Sequence, residues 1–487
     1  MNSKFLFQSD GNLYLQDVAN NFLLYLPVEL SKQIEKRLNN PYLAIDNKPN
    51  YYERKAEFLL KKLATQGTFE NNFSGRLSPD LTENTFANTR QITFELTERC
   101  NLNCEYCAYG DLYNRFSTRE NKDLPWEYAS NLIEYLSKYW ASSKYTSINK
   151  SIAIGFYGGE PLIKMDLIYQ IVQHLEEKNS NNIRFFYSMT TNGMLLDKYM
   201  DFLAKNDVQL LISLDGNEQN NSYRVTKTGK NSFHNILSNV VLLKERFPEY
   251  FKKKVMFASV LHNRNSVSEI NSFFRKQFDM EARISEVNPL GINIEKKEQF
   301  NAMYRNMLES LNQAEDYDSI KEDMFINEPD TNTLMHYLHA YSGNYIKNYN
   351  GFFIDKESVR WIPTGTCVPF GKRIFLTAGG KILPCERIGH KHTLGIVDKN
   401  GVHIDFNEIA SKYNLYYDSL HSQCSNCYRL KHCLQCIFYI DNIECKPVCK
   451  GYFNETMFKE YLSKNVDFLS KNSKLYKKIM SEVILEE

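Results

Sequence analysis

The sequence of 487 residues lacks the features that direct a chain to a membrane or to nucleic acid. It has no run of about 18 apolar residues that would span a bilayer, and it begins without a charged and apolar signal segment. Its 59 basic and 58 acidic residues leave a net charge of +1, and it has no long basic run. Electrostatic binding to nucleic acid is therefore disfavoured. We expect a cytoplasmic protein without a membrane span.

Cysteine is missing from most of the chain. All eleven cysteines fall into two groups, three at 100–107 and eight at 367–449. In a reducing cytoplasm such groups more often bind metal than form disulfides. The length of the chain predicts two or three domains around these groups.

The first group is a CxxxCxxC triplet of Cys100, Cys104 and Cys107, directly after a strand-like run. Three thiolates can hold three irons of a four-iron cluster, which normally takes four cysteines. The fourth iron is then left open for a substrate or cofactor. A structural zinc site closes with four protein ligands and usually uses paired CxxC units, so the triplet argues against zinc.

With this triplet the sequence resembles the radical SAM superfamily. The resemblance implies a 4Fe–4S cluster whose open iron binds S-adenosylmethionine (SAM) and reduces it to a 5′-deoxyadenosyl radical. It also implies that Tyr106, just before the third cysteine, lies against the adenine.

Strand and helix patterns alternate from about residue 91, as they do in a parallel sheet with outer helices. The predicted strands are 91–96, 151–157, 183–189, 208–214, 255–261 and 282–287. Helical patterns between them include 126–140, 167–177 and 233–247. By resemblance, this is an α/β fold with an open (β/α)6 partial TIM barrel, in which functional residues collect at the C-terminal ends of the strands.

The second predicted strand is followed by Gly158, Gly159, Glu160 and Pro161. Two glycines there would let backbone carbonyls approach a ligand closely, and the proline would stiffen the turn. The same four residues alone would be an ordinary turn. By resemblance to the superfamily, they meet the ammonium group of SAM.

Polar residues also follow the next two predicted strands. Asn192 follows the third strand, Ser213 ends the fourth, and Arg224 comes shortly after it. Arginine can present a planar donor fork to a carboxylate. The resemblance implies that Asn192 contacts the ribose, and that Ser213 and Arg224 contact the SAM carboxylate. Each motif alone is weak, since Asn-Gly and Asp-Gly are routine turn formers.

The second cysteine group holds enough ligands for two complete four-iron clusters. It comprises Cys367, Cys385, Cys424, Cys427, Cys433, Cys436, Cys445 and Cys449. The pattern resembles the SPASM extension of radical SAM peptide-modifying enzymes, but departs from it in the CxxC of 433–436 and the trailing CxxxC pair.

Interleaving of the kind usual in SPASM extensions divides these eight ligands between a distal and a near cluster. It implies Cys424, Cys427, Cys433 and one trailing cysteine on the distal cluster. The near cluster would then take Cys367, Cys385, Cys436 and the other trailing cysteine. A zinc ribbon is the alternative for the run 424–436.

The first 90 residues have a different pattern. Short strands are predicted at 4–8, 13–16 and 22–26, followed by helices at 27–38 and 50–64. This order resembles the winged-helix leader-recognition element of peptide maturases, which binds a precursor's leader as an added strand. A plain cap on the barrel is the alternative. The Asn-, Thr- and Ser-rich segment near 71–89 is predicted to be a linker.

These patterns divide the chain into five predicted segments. They are an N-terminal recognition or cap domain (1–90), the radical SAM core (91–294), a helical bridge (295–360), the SPASM auxiliary-cluster domain (361–452) and C-terminal helices (453–487).

The resemblance implies a radical SAM oxidoreductase that matures a ribosomally made precursor peptide. Its cofactors would be SAM and three 4Fe–4S clusters, and a flavodoxin or ferredoxin would supply electrons. Hydrogen abstraction would lead to a thioether or carbon–carbon cross-link. Two alternatives stay open: an anaerobic sulfatase maturase that makes formylglycine, and a non-enzymatic iron–sulfur or zinc-binding interaction protein.

Overall fold

The described residues of the computed structural model fall into two units. The description covers residues 4–18, 22–40, 42–43, 48–64, 75–114, 120–179, 182–341, 362 and 368–483. The smaller unit comprises Met1–Arg76, Phe325–Thr366 and Tyr413–Glu487, and the larger unit comprises Leu77–Met324 and Cys367–Lys412.

The smaller unit begins with a three-stranded antiparallel sheet and two helices. The strands β1 (Lys4–Ser9), β2 (Asn12–Asp17) and β3 (Phe22–Leu26) lie in the order β1-β2-β3. The helices are α1 (Val28–Asn39) and α2 (Tyr51–Ala64). Leu15 and Leu26 of the sheet share a core with Leu30 and Ile34 of α1. Asp10 and Gly11 both have positive φ at the β1–β2 turn, which suits a tight hairpin.

Six parallel strands form the centre of the larger unit, and they are neighbours in chain order. They are β4 (Gln91–Thr97), β5 (Ser151–Gly158), β6 (Arg184–Thr191), β7 (Gln209–Ser213), β8 (Val255–Leu261) and β9 (Ala282–Glu286). Burial alternates along β8, because successive side chains of a strand point to opposite faces.

The helices of the larger unit connect and cover these strands. They are α3 (Pro79–Ala87), α4 (Trp126–Trp140), α5 (Met165–Glu177), α6 (Leu196–Lys205), α7 (Phe233–Arg246), α8 (Pro248–Lys254), α9 (Val267–Phe278), α10 (Lys297–Met303), α11 (Met307–Asn312) and α12 (Tyr317–Met324). The rings of Phe257 on β8 and Phe274 on α9 have centroids 4.6 Å apart, which shows the apolar face of the sheet packed against the helices.

Four short strands extend the parallel sheet beyond β4. They are β10 (Ile374–Leu376), β11 (Lys381–Leu383), β12 (Gly395–Asp398) and β13 (Gly401–His403). Strand β10 pairs parallel with β4, and the other three continue the sheet antiparallel. The Glu95 side chain on β4 accepts a hydrogen bond from the Ala378 backbone N–H at 3.1 Å, which ties this extension to the parallel strands.

The remaining helices pack against the N-terminal sheet or lead into the cysteine-rich segment. They are α13 (Pro329–Tyr341), α14 (Phe406–Cys424), α15 (Glu455–Lys471) and α16 (Lys474–Glu482). Phe5 and Phe7 of β1 share a second core with Leu338 of α13 and with Phe458 and Leu462 of α15. Segments from both ends of the chain therefore build the smaller unit.

The six predicted barrel strands and the three predicted helices between them are confirmed, with ends that move by at most two residues. The predicted linker near 71–89 is wrong in its second half, where α3 forms. Ser78 caps that helix by accepting a hydrogen bond from Leu81 N at 3.0 Å, and Pro79 occupies its first turn. Phe86 is fully buried in the larger unit. In the described part of the chain, no helix is long and apolar enough to cross a membrane.

Candidate functional site

The three N-terminal cysteines lie on one loop after β4, called here the cysteine loop (residues 98–110). Cys100, Cys104 and Cys107 are all half-buried. Tight turns shape the loop: Cys107 N donates to Cys104 O at 3.1 Å, and Gly110 N donates to Cys107 O at 2.8 Å. A single short segment therefore carries all three thiols.

Burial opposes the ionisation of Cys100 and Cys104. It raises the pKa of Cys100, and it raises the pKa of Cys104 to about 12, although the nearby Arg224 charge acts in the opposite direction. A coordinating metal overcomes such a shift, because it removes the proton from a bound thiol. Among the described residues, no three His, Cys, Asp or Glu side chains converge on a single metal ion. Thiolates that each bind a different iron of a cluster do not have to converge in this way.

A second segment, residues 221–226, runs antiparallel to the cysteine loop and holds it. Asn103 N donates to Val225 O at 2.7 Å, and Glu105 N donates to Tyr223 O at 3.1 Å. Arg224 belongs to this segment. The backbone pairing thus brings the predicted carboxylate-binding residue to the cysteines.

The glycines after β5 allow the cysteine loop to come close. A Cβ on Gly158, whose φ is +141°, would lie 2.3 Å from Thr97 O, and a Cβ on Gly159 would lie 2.2 Å from Arg99 O. Gly159 N donates to Thr97 O at 2.9 Å, and Glu160 N donates to Arg99 O at 3.0 Å. Glycine is therefore required at both positions, because the backbone after β5 lies directly against the backbone after β4.

Glu160 connects β5 to β6 from a fully buried position. Its carboxylate accepts hydrogen bonds from Leu162 N at 3.1 Å, Thr191 Oγ1 at 2.7 Å and Asn192 N at 2.7 Å. Burial raises the pKa of Glu160 to about 7, although these donors act in the opposite direction. Both oxygens of this predicted SAM-binding carboxylate are thus bonded within the protein, and Pro161 after it is buried at the start of a short 3₁₀ helix.

Asn192 lies beside the first cysteine. Its Nδ2 donates to Asn101 Oδ1 at 2.7 Å and lies 3.6 Å from Cys100 Sγ, while its Oδ1 accepts from Met194 N at 3.0 Å. The predicted ribose contact therefore also orders the start of the cysteine loop.

A buried polar cluster lies at the end of β7, two residues beyond the half-buried Ser213. Asp215 is fully buried; it accepts a hydrogen bond from the Tyr106 hydroxyl, and its Oδ1 lies 3.2 Å from Arg224 Nε. The guanidinium also lies over the Tyr106 ring, 5.4 Å from its centroid. Burial alone would raise the pKa of Asp215, but the Arg224 charge and its hydrogen bonds lower it. Two predicted SAM contacts, Tyr106 and Arg224, thus share one carboxylate.

His262, at the end of β8, completes this cluster. Its ring stacks on Tyr106 with centroids 5.9 Å apart, and its Nε2 lies 3.8 Å from Asp215 Oδ2. Neither Asp215 nor His262 is among the residues predicted from the sequence to form the site. Both residues follow the ends of neighbouring parallel strands, and this position in the sequence could have indicated that they belong to the site.

Residues 94–275 match the Radical SAM superfamily. The chain contains a radical SAM domain. Over 156 residues it is 33% identical to the uncharacterized protein MJ0907 of Methanocaldococcus jannaschii. The aligned region covers 32% of this chain and 49% of that protein. Over 184 residues it is 29% identical to a cysteine-type anaerobic sulfatase-maturating enzyme of Clostridium novyi, with coverage of 37% and 46%.

The radical SAM domain is also similar to other proteins of known reaction or structure. Over 221 residues the chain is 26% identical to the radical SAM cyclopropyl synthase TigE of Paramaledivibacter caminithermalis, with coverage of 41% of this chain and 45% of that protein. The solved structure of hexahistidine-tagged anSMEcpe with bound AdoMet covers 81% of this chain and 96% of its own, at 14% identity and a TM-score of 0.51. The predicted fold class is thereby confirmed. The chain spans about half the length of the curated relatives it matches.

Outside the radical SAM domain, the charges of three thiols in the cysteine-rich segment of the smaller unit act on a fourth, Cys424. Burial raises the pKa of Cys424, and the charges of Cys433, Cys427 and Cys449 raise it further. The pKa of Cys449 is raised first by burial and then by Cys433 and Cys427. Cys445 is exposed, and Cys436 is half-buried.

In the larger unit, Cys385 lies half-buried after β11. Burial raises its pKa to about 11, and the neighbouring Glu386 charge acts in the same direction. Glu386 is held by Arg373, whose Nη1 donates to Glu386 Oε2 at 2.5 Å. Cys367, predicted to be another ligand, lies outside the described residues.

The contact between the two turns leads to a test by substitution. Gly159→Ala should destabilise the larger unit, because the new Cβ would lie 2.2 Å from Arg99 O. Overpacking of this kind costs about 1–3 kcal/mol. Thermal unfolding followed by circular dichroism should show a lower midpoint. Gly379→Ala is the control, since its Cβ would meet only Thr377 Oγ1, at 4.0 Å. Equal midpoints for the two variants would contradict the close approach.

Proposed function

We propose that this protein is a radical SAM enzyme that modifies a ribosomally made precursor peptide, forming a thioether or carbon–carbon cross-link. The observation that carries the proposal is the convergence of the cysteine loop, Asn192 and Arg224 at the ends of β4, β6 and β7. In α/β sheets of parallel strands, ligands bind at this edge.

The chain's own residues would hold one 4Fe–4S cluster and SAM. Cys100, Cys104 and Cys107 would bind three irons, and the open iron would bind SAM. When bound, the cluster and SAM supply one-electron chemistry that abstracts hydrogen from an unactivated carbon. Arg224 would present its guanidinium fork to the carboxylate of SAM, with Ser213 nearby, and Tyr106 would lie against the adenine. The half-buried positions of the thiols would limit access of water to the cluster.

Formylglycine formation is the second candidate, because several relatives are named anaerobic sulfatase-maturating enzymes. The two products differ chemically. Formylglycine carries an aldehyde that a hydrazide reagent labels, whereas a thioether or carbon–carbon cross-link does not. Incubating the reduced enzyme separately with a sulfatase-derived peptide and with any short peptide that a neighbouring gene encodes separates the two. A non-enzymatic metal-binding scaffold would modify neither peptide.

The triplet gives the first test of the proposal. Changing Cys100, Cys104 and Cys107 together to alanine should abolish the reductive cleavage of SAM to 5′-deoxyadenosine, measured by chromatography under anaerobic conditions. Iron bound elsewhere should stay, at about eight atoms per chain for two further clusters. Persistent SAM cleavage by this variant would contradict the proposed role of the triplet.

For the auxiliary clusters we propose Cys449 as the trailing ligand of the distal site. The support is a set of thiols in the smaller unit whose charges raise the pKa of their neighbours in the set. They are Cys424, Cys427, Cys433 and Cys449. Cys445 is exposed and would serve the near cluster with Cys367, Cys385 and Cys436. A zinc ribbon on these residues is the alternative, and metal analysis after anaerobic isolation distinguishes zinc from iron.

This assignment predicts non-additive iron loss. In a Cys424→Ala/Cys427→Ala background the distal cluster should already be lost, so adding Cys449→Ala should remove no further iron. Adding Cys445→Ala to the same background should remove more, because it affects the other cluster. Iron per chain is measured after anaerobic reconstitution. The reverse pattern would exchange the roles of the two trailing cysteines.

We propose further that the N-terminal sheet binds the leader of the precursor as an added strand. Helix α15 occupies the region beside β1: Ser463 Oγ donates to Gln8 O at 2.8 Å, and Ser9 Oγ donates to Asp467 Oδ1 at 2.5 Å. Strand β3 pairs only with β2 among the described strands, and it exposes Phe22 and Tyr25. Its edge therefore suits strand addition better than that of β1.

Substitutions on β3 test leader binding while leaving the core intact. Deletion of residues 1–90 would remove β1 and α3, and would therefore expose apolar core residues in both units. Phe22→Glu/Tyr25→Glu instead places charge on the strand, which disfavours edge pairing. Precursor affinity measured by fluorescence anisotropy should fall by about tenfold or more, while SAM cleavage without peptide is unchanged.

The control for this prediction is Tyr42→Glu, which changes a tyrosine that is 95% exposed and lies outside the sheet. It should leave precursor affinity unchanged. Equal affinity of the β3 variant and the intact protein would mean that the segment is only a cap. The flavodoxin or ferredoxin donor and the cytoplasmic location stay predictions from the sequence.

A further inference from the structure

The side chain of Asp215 lies at the junction of three segments of the larger unit. Residue 215 follows β7, Tyr106 belongs to the cysteine loop, and Arg224 belongs to the segment that pairs with that loop. One carboxylate oxygen accepts from the Tyr106 hydroxyl, and the other lies 3.2 Å from Arg224 Nε. A single carboxylate therefore joins two residues that the proposed function places around SAM.

The position of Asp215 is itself fixed from β8. Val260 N donates to Asp215 Oδ1 at 3.0 Å. His262, directly after β8, packs against the carboxylate: its Nδ1 accepts from Arg264 N at 3.1 Å, and its Nε2 lies 3.8 Å from Asp215 Oδ2 and 3.2 Å from Asn265 Nδ2. A backbone donor of β8 thus holds the carboxylate in addition to the Tyr106 hydroxyl.

The charges of this cluster explain why an acidic residue is needed. Arg224 is 7% exposed and Asp215 is fully buried. A buried guanidinium without a counter-charge is strongly unfavourable, and removing one partner leaves the other charge uncompensated. The Nε edge of the guanidinium lies nearest Asp215, as an ion pair at 3.2 Å, and the guanidinium has four further N–H donors in the same plane. Asp215 can therefore neutralise and orient Arg224 while the fork stays able to meet a second carboxylate.

We infer that Asp215 is a positioning residue for SAM: it fixes the Arg224 guanidinium and the Tyr106 ring beside the cysteine loop before the cofactor binds. This inference rests on the proposed function, because it assigns SAM to the site. Asp215 acts through its two neighbours and needs no contact with the cofactor. Its loss should therefore weaken SAM binding without removing the cluster.

The experiment is a double-mutant cycle on the intact chain with its clusters reconstituted anaerobically. Equilibrium dialysis with radiolabelled SAM, without reductant, measures affinity; iron content and thermal unfolding are measured on the same samples. We expect Asp215→Asn and Arg224→Gln each to weaken SAM binding by about tenfold or more, equal to about 1.4 kcal/mol. The loss in the double variant should be smaller than the sum of the two single losses, since Asp215 acts in part through Arg224. Iron content should equal that of the unchanged protein.

The matched control is Asp201→Asn, which removes an exposed Asp–Arg pair, Asp201 with Arg246 at 2.7 Å, from the same unit. It should leave SAM affinity unchanged. If Asp215→Asn fails to fold, Tyr106→Phe removes only the hydroxyl that bonds to Asp215, and it should still weaken SAM binding with iron content retained.

The outcomes separate this inference from the proposed function. Normal SAM affinity in Asp215→Asn, or additive losses in the double variant, would overturn the positioning role while leaving the proposed function intact. Normal affinity in Tyr106→Phe would overturn it where Asp215→Asn does not fold. Absence of SAM binding in the unchanged, iron-loaded protein would overturn the proposed function and this inference together. Unchanged affinity in Arg224→Gln alone would reject the route through Arg224.

Discussion

Backbone contact between the cysteine loop and the turn after β5 is the constraint on which the candidate site depends. The carbonyls of Thr97 and Arg99 accept hydrogen bonds from Gly159 N and Glu160 N, and no Cβ fits at Gly158 or Gly159. This contact holds the start of the triplet against the strand ends. Glu160 carries the connection on to β6, where it binds the two residues that end and follow that strand. The positions of the thiols thus follow from the ends of three neighbouring strands.

Three fully buried ionisable side chains lie at this same edge of the sheet. Glu160, Asp215 and His262 are each 0% exposed. Burying such groups is unfavourable unless they are hydrogen-bonded or paired, and each has partners here. Apolar side chains at these positions would avoid that cost. Buried ionisable groups gathered at this end of the sheet indicate a site organised for binding as well as for folding.

The core of the smaller unit is built from segments that are distant in the sequence. Its three-stranded sheet buries side chains against α1 and, through β1, against helices from the far end of the chain. Leu338 of α13 and Phe458 of α15 supply apolar surface to β1, and the thiols of the cysteine-rich segment gather in the same unit. Metal bound by those thiols would add cross-links to a segment with few regular elements. Stability and cluster binding are therefore expected to depend on each other in this unit.

The sequence by itself determined the local features. Alternating burial along single strands, the glycine-rich turn after β5 and the cysteine spacing each lie within one short segment, so the strands, the helices between them and the triplet could be read directly. The linker predicted near 71–89 is wrong where Ser78 and Pro79 start a helix. The polar composition of that segment suits a linker as well as a helix.

Only the tertiary structure decided which distant residues meet. Asp215 joins Tyr106 and Arg224, and His262 packs against it from the end of β8. These contacts depend on strand order and on the path of the chain between segments. Residue types alone do not encode that path. In the sequence, an Asp after a strand is an ordinary turn former, and only burial beside an arginine gives Asp215 the role of a counter-charge.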